Sequence, residues 1–574
     1  MVGSLAGTEN TAASRPPSFL SDRTVHGDAE TPPNGRVTKP EPYVGQQDEK
    51  GEVQEKSAGE VEVIEEYPSA VALMMIIVAL MLSMFLVALD MTIVATAIPR
   101  ITDQFKSLDE VGWYGSAFFL TIASFQSTWG KGYKYFPLKA TFLSTIFIFE
   151  LGSLICGVAQ SSTTLIVGRA IQGMGAAGLA SGIYTIIGFS VPPQRRPAFT
   201  GIIGAVYAVA SVVGPLLGGV FTDNLSWRWC FYINLPVGGV SAAIIFFFFK
   251  APPAAKPVQA PLKEKLLQMD LLGTFTIMAA VVCYLLALQW GGVTKPWSHR
   301  DVVGTLVGFS VLVILFIVIE WQLGDRALLQ PRLFKQRNVL LSCLFIGFGV
   351  GPMFILIYYL PIYFQSIMNT SAAQSGIRNL PFILGVSLFS IVSGVLITIF
   401  GHFAYLLVLG STLTAIGSGL IYMLDIDTSS AQWIGYQILP GIGTGIAIQI
   451  PIIVNQALVD VSDLASISAI TLFVQTIGGA FWVSAGQAAF VNRLVSKLPE
   501  LAPNVDPALV VTTGASELRH VFSEEDLPGV LMAYMAGLKV TFTLCIALGG
   551  VGFLITLFAK WESLKGKAKL EGAV

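Results

Sequence analysis

The stretch VALMMIIVALMLSMFLVAL, Val71 to Leu89, runs straight into a carboxylate at Asp90 and continues as MTIVATAI to Pro99. A bilayer core about 30 Å thick is crossed by about 20 apolar residues, so this segment reads as a membrane helix. A charge near the middle of such a helix costs about 2.5–3.5 kcal/mol on insertion scales, and residues that carry one face a polar cavity and serve transport. A helix of this kind does not stand alone, and the rest of the chain supplies its neighbours.

Apolar residues make up 53% of the 574 positions and charged residues only 12%, about half the share of a soluble domain, so lipid is the solvent for most of this surface. A net charge of −2 argues against a nucleic-acid binder, which needs a basic face. No basic start followed by a short apolar core and a small-residue cleavage site is visible, so the first helix is expected to serve as the insertion signal. The five cysteines lie scattered among apolar segments without ligand spacing, which argues against a metal site or a disulfide framework. No GxxxxGK[ST] phosphate loop is present, so the energy source is expected to be an ion gradient, most simply protons, with no cofactor.

Fourteen spans are expected, at about 71–97, 112–130, 140–159, 163–186, 199–221, 229–249, 269–289, 302–321, 339–360, 379–400, 403–424, 433–455, 464–490 and 531–558. The division at Gly401 is the narrowest. Residues 1–68, rich in Pro, Gly, Glu, Ser and Thr, are expected to form a disordered cytoplasmic tail. A six-helix bundle over 69–249, a linker with two extra helices over 250–336, a second six-helix bundle over 337–560 and a cytoplasmic tail over 561–574 complete the organisation.

Lysine and arginine in short loops stay cytoplasmic. With the amino terminus inside, the inner loops hold Lys131, Lys134, Lys139, Arg195, Arg196, four lysines between 250 and 265, and Arg326, Arg332, Lys335 and Arg337. The outer loops are poorer, with Arg100, Lys106, Lys295, Arg300 and Arg493 as exceptions, so both termini are expected to be cytoplasmic. Two glycosylation sequons, at Asn224 and Asn369, fall in loops expected outside, and Asn224 sits close to a helix end.

Four motifs carry chemistry: LDMTIVATAIP at 89–99, LIVGRAIQGMGAAG at 165–178, ASVVGPLLGG at 210–219 and SWRWCFYINLPVGG at 226–239. Asp90 lies about 13 Å from the end of its helix and Arg169 about 10 Å from the same side in a helix of opposite direction, so the two charges reach similar depth. Apposed in low dielectric they stabilise one another, and separating them favours protonation of the acid. A permanent structural ion pair is the other reading. Glu150, in the middle of the third span, is a second titrating site, a contact for a cationic substrate, or a buried protonated acid. Glu320, at the end of the eighth span, reads as a surface carboxylate. Gly214 and Pro215, with Gly218 and Gly219, permit a kink and the close approach of a partner helix.

Together these motifs resemble the major facilitator superfamily, and within it the fourteen-span drug–proton antiporters. YYLPIYFQ at 358–365 and FVQTIGG at 473–479 are similar to fungal pumps that export toxins and secondary metabolites. The resemblance implies an all-α membrane fold of two six-helix bundles plus two extra helices. It also implies a proton-coupling role for Asp90 and Arg169, and an antiporter signature at Gly214, Pro215, Gly218 and Gly219. In the loop GKGYKYFPLK, Gly130, Lys131 and Lys139 match the superfamily pattern. Lys134 replaces its acid and Pro137 its second glycine, so a positive-inside anchor is expected there rather than a charge relay.

Amides and aromatics within apolar spans suit a bulky, weakly polar ligand. Trp113, Tyr114, Gln126, Gln172, Tyr359, Gln449 and Gln475 are the expected cavity residues. The function expected from all this is proton-coupled export of a hydrophobic toxin, metabolite or drug across the plasma membrane, by a transporter and not an enzyme. A vacuolar amino-acid or siderophore carrier, and a non-transporting receptor or scaffold, are the alternatives.

Overall fold

The computed structural model describes residues 67–105, 111–292, 294–515, 517–561 and 563–564. The expected N-terminal tail, except its last two residues, and most of the C-terminal tail lie outside these. Fourteen long helices carry the described chain: α1 (Ala70–Ile93), α2 (Val111–Tyr135), α3 (Leu138–Val158), α4 (Ser162–Ser190), α5 (Arg196–Asn224), α6 (Asn234–Phe248), α7 (Leu271–Trp290), α8 (Arg300–Leu323), α9 (Arg337–Ser366), α10 (Leu380–Phe400), α11 (Ala404–Tyr422), α12 (Ser430–Ile448), α13 (Leu464–Leu501) and α14 (Leu527–Thr556). Among the described residues there is no β-strand, only two isolated bridges.

Among the described residues, thirteen helical segments are long and apolar enough to cross a bilayer, and α2 is not among them. Its 25 residues include Trp113, Ser116, Gln126, Ser127, Thr128 and Lys131, and many of these turn inward. A helix that lines the interior of a membrane protein sheds hydropathy because its polar face is packed against protein instead of lipid.

Helices α1 to α6 pack on one another, as do α9 to α14, and the two groups meet where α5 lies along α10 and α2 along α13. Glycine sets the closest approaches. A methyl group at Gly175 of α4 would stand 2.6 Å from Phe149 Cα of α3, and one at Gly152 of α3 would stand 2.6 Å from Gln172 Cα of α4. The division at Gly401 holds: α10 ends at Phe400, Gly401 turns the chain at φ +74°, and α11 starts at Ala404. The first span, expected to run to 97, instead leaves α-geometry at Ile93, passes through a 3₁₀ turn at Val94–Thr96 and re-forms as Ile98–Phe105.

The two additional helices differ in their surroundings. Helix α7 touches both α2 and α13, with Tyr284 stacked on Phe481 at 4.3 Å, and so bridges the two groups. Helix α8 packs on α7, and only 11% of its apolar window is buried, which suits a helix bathed in lipid.

One end of the molecule, the basic end, carries Lys131, Lys134, Lys139, Arg196, Arg326 and Arg332. The expected loop at 130–139 is helical there as far as Tyr135. Its cations, expected as a positive-inside anchor, are engaged with protein groups. Lys131 is 1% exposed, and its Nζ donates to the Asp325 carbonyl at 2.7 Å. Lys134 binds Asp463 at 2.8 Å, and Arg332 binds the same carboxylate twice at 2.7 Å. Asp463 is buried at the start of α13, so α2, the α8–α9 connection and α13 are fastened at one point. The buried carboxylate pushes the Arg332 guanidinium further above its ordinary range. Lys139 donates to the Phe246 carbonyl at 2.6 Å, and a Cβ at Gly130 would overlap Ala469 of α13. Glu320 is not the surface carboxylate its position suggested. It is 6% exposed and accepts from the Leu329 N–H at 2.6 Å, because the chain folds back over the end of α8.

Candidate functional site

Asp90 and Arg169 meet, as their matched depths required. The Arg169 Nη1 donates to Asp90 Oδ2, and the two side chains are 1% exposed or less. The pair sits in a shell that satisfies nearly every polar group. Arg169 Nε donates to the Tyr114 carbonyl at 2.9 Å, and Nη1 donates also to Gln172 Oε1 at 2.9 Å. Gln172 and Asn234 in turn donate to Asp90 Oδ1 at 2.9 and 3.2 Å, and both donate to Ser153 Oγ. The guanidinium lies 4.1 Å from the centre of the Phe118 ring. Asp90 thus accepts from a guanidinium and two amides at once.

Glycines let this cluster form. A Cβ at Gly173 of α4 would overlap Thr121 Oγ1, so only glycine allows α2 so close to α4. A Cβ at Gly214 would overlap Thr92 Oγ1 and one at Gly218 would overlap the Ile93 carbonyl, which brings α5 onto α1 beside Pro215, inside α5. Gly219 has nothing within 4 Å of its Cβ position, so the expected close approach does not extend to it.

Beside the pair lies a cavity of about 390 Å³, lined from both helix groups and, at Leu285, from α7. Arg169 reaches its wall; Asp90 does not, and stands behind the arginine. Of the seven expected cavity residues, Gln126, Gln449 and Gln475 line it. The others sit elsewhere. Tyr114 is buried with its hydroxyl on Ser162 at 2.8 Å, and Gln172 belongs to the Asp90 shell. Trp113 borders a small lateral crevice against α7, and Tyr359 packs on Phe490 at 5.9 Å while its neighbour Tyr358 takes the cavity wall. Helix phase explains the last miss, since one residue turns a side chain by about 100°.

The sequence reading missed Tyr184, Tyr207 and Phe354 on the wall and Asn234 and Ser153 in the Asp90 shell. Asn234 was discoverable: it is the one amide in the otherwise apolar CFYINLPVGG. Glu150 lies against α6, where its Oε1 occupies the space a side chain at Gly238 would need. Both its carboxylate oxygens are buried and lack a hydrogen-bond partner among the described residues. It does not line the cavity, so it is not a contact for a cationic substrate there. Asn224 is the last residue of α5 with its amide donated to the Val220 carbonyl, whereas Asn369 is exposed in a turn at φ +51°. No group of three or more metal-ligating side chains occurs among the described residues.

Residues 80–483 match the model of the Major Facilitator Superfamily. The chain belongs to that superfamily. Its members are membrane transporters and not enzymes. Among similar curated proteins, the MFS-type transporter grgE of a Penicillium species is 49% identical over 513 residues, covering 89% of this chain and 91% of the relative. The probable efflux pump gsfJ of Penicillium aethiopicum is 47% identical over 501 residues, 87% and 90% of the two chains. The MFS-type efflux pump MFS1 of Trichophyton rubrum is 45% identical over 502 residues, 87% and 93%. Among solved structures, the human organic anion transporter MFSD10 matches with a TM-score of 0.54 at 12% identity, covering 84% of this chain and 99% of that one. The proton:xylose symporter XylE matches at 0.53 and 10% identity, covering 87% and 99%, and both establish the major facilitator fold alone.

Proposed function

We propose that this superfamily member is a fourteen-span, proton-coupled antiporter that exports hydrophobic organic molecules across the plasma membrane, with both termini cytoplasmic. The efflux-pump names of its relatives favour the direction. The observation that carries the coupling is positional: Arg169 forms part of the cavity wall while its partner Asp90 stands behind it. A guanidinium shared between cargo chamber and buried acid lets each sense the other. Protonation of Asp90 removes the charge that holds Arg169, and the freed guanidinium re-sorts among Tyr114, Gln172 and the cavity. The bundles over 69–249 and 337–560 then rock about the cavity, opening and closing the basic end. Glu150, one turn of α3 from Ser153, is the second protonation site in this scheme.

The test is Asp90→Asn in proteoliposomes. The variant should insert and bind cargo, yet move it at one rate whether or not a pH gradient is imposed. Export by Asp90→Asn that still follows the gradient refutes the assignment.

A further inference from the structure

The cavity wall restricts its cargo beyond a demand for apolarity. Among the described residues no Asp, Glu, Lys or His lines it, and Arg169 is its one charged side chain. That charge is already matched by Asp90. A cation entering the chamber meets no carboxylate, and an anion meets a guanidinium already neutralised. Either would lose its hydration in a low-dielectric space without a counter-charge.

Two of the four glutamines on the wall, Gln126 and Gln449, are turned as donors. Gln126 spends its Oε1 on the Thr476 hydroxyl at 3.2 Å, and Gln449 spends its Oε1 on the Tyr184 hydroxyl at 3.3 Å. Each bond pins the amide oxygen away and leaves the Nε2 hydrogens without a protein acceptor among the described residues. Tyr207 aims its own hydroxyl at Met91 Sδ, 3.4 Å away. Aromatic rings of Tyr184, Tyr358 and Phe354 stand around these donors, and the volume of about 390 Å³ suits a fused-ring molecule.

From this wall we infer that the cavity selects uncharged aromatic molecules bearing acceptor oxygens, such as quinone or ester carbonyls, and rejects organic cations. The inference rests on the cavity being the cargo site, as proposed above. Gln126 and Gln449 are the specificity-determining residues: their N–H groups hold the cargo oxygens, while a carboxylate at either place would admit positive charge.

Ligand-induced thermal stabilisation of the purified full-length protein tests this, because a ligand that binds only the folded state stabilises it by RT ln(1 + [L]/Kd) and raises its melting midpoint accordingly. The probes are quinizarin, an uncharged hydroxyquinone at pH 6, and ethidium, a permanent cation. Quinizarin should raise the midpoint logarithmically with its concentration above Kd and ethidium should not. Gln126→Ala and Gln449→Ala should each weaken quinizarin about five- to tenfold, the loss of one neutral hydrogen bond. Gln126→Glu should acquire stabilisation by ethidium. Equal stabilisation of the wild type by ethidium, no concentration-dependent effect of quinizarin, or affinities unchanged within about twofold in both alanine variants would each overturn the inference. Equilibrium binding needs no gradient, so loss of the antiport reading at Asp90 would leave this result standing.

Discussion

Asp463→Asn should loosen the basic end without disturbing the bundles. The carboxylate is 2% exposed and holds Arg332 through two bonds of 2.7 Å and Lys134 through one of 2.8 Å. Removing one partner from a wholly buried ion pair costs about 3–5 kcal/mol, whereas an exposed pair contributes about 0–1 kcal/mol. The cations here stand between those limits. Lys134 is 11% exposed and Arg332 39%, and Arg332 keeps a second carboxylate, Asp325, at 2.9 Å. A net loss of about 2 kcal/mol follows, a shift of about thirtyfold in the balance between closed and open forms at this end. Asn preserves the shape at the start of α13, so the change is one of charge. Ser466 provides the reporter. It is 3% exposed beside Gly130, and its hydroxyl has no hydrogen-bond partner among the described residues, so Ser466→Cys is nearly isosteric. In a background where the five native cysteines are serine, a water-soluble maleimide should label Cys at 466 about ten to thirty times faster once Asp463→Asn is added. A labelling rate unchanged within about twofold would show that this ion cluster does not hold the two groups together.

Three other outcomes are expected. Gly175→Ala should destabilise the protein by about 1–3 kcal/mol through overpacking against Phe149, whereas Gly219→Ala, with an empty surround, should leave the thermal midpoint unchanged; equal midpoints for the two would refute the packing argument. Glu150→Gln should fold normally, since neither carboxylate oxygen has a partner to lose, and should lower the protons exchanged per cargo as read by entrapped pyranine; an unchanged ratio removes Glu150 from the coupling. Asn369→Gln should abolish the endoglycosidase-sensitive mobility shift in a eukaryotic host and Asn224→Gln should not, because the Asn224 amide is committed within the end of α5; a shift lost with Asn224 alone would contradict that geometry.

What could be read from the chain depended on how rare the residue type was in its surroundings. Asp90 and Arg169 stand out against apolar neighbours, and two charges at one depth in lipid have little choice but to meet. The same logic located Gln126, Gln449 and Gln475. It failed where the deciding partner was remote. Lys134 read as a positive-inside anchor with no named partner because Asp463, which it binds, is 329 positions away. Glu320 looked exposed because the turn that donates to it folds back only in three dimensions. Tyr359 and Tyr358 differ by one step around a helix, and a run as apolar as α9 carries no phase from which to choose between them.

The placement of Asp90 behind Arg169 has a bearing on idling. In the antiport proposed above, an acid that is absent from the chamber wall gains its proton only once the Arg169 side chain moves aside. On that proposal an empty carrier passes few protons, and idle copies cost the membrane little of its gradient.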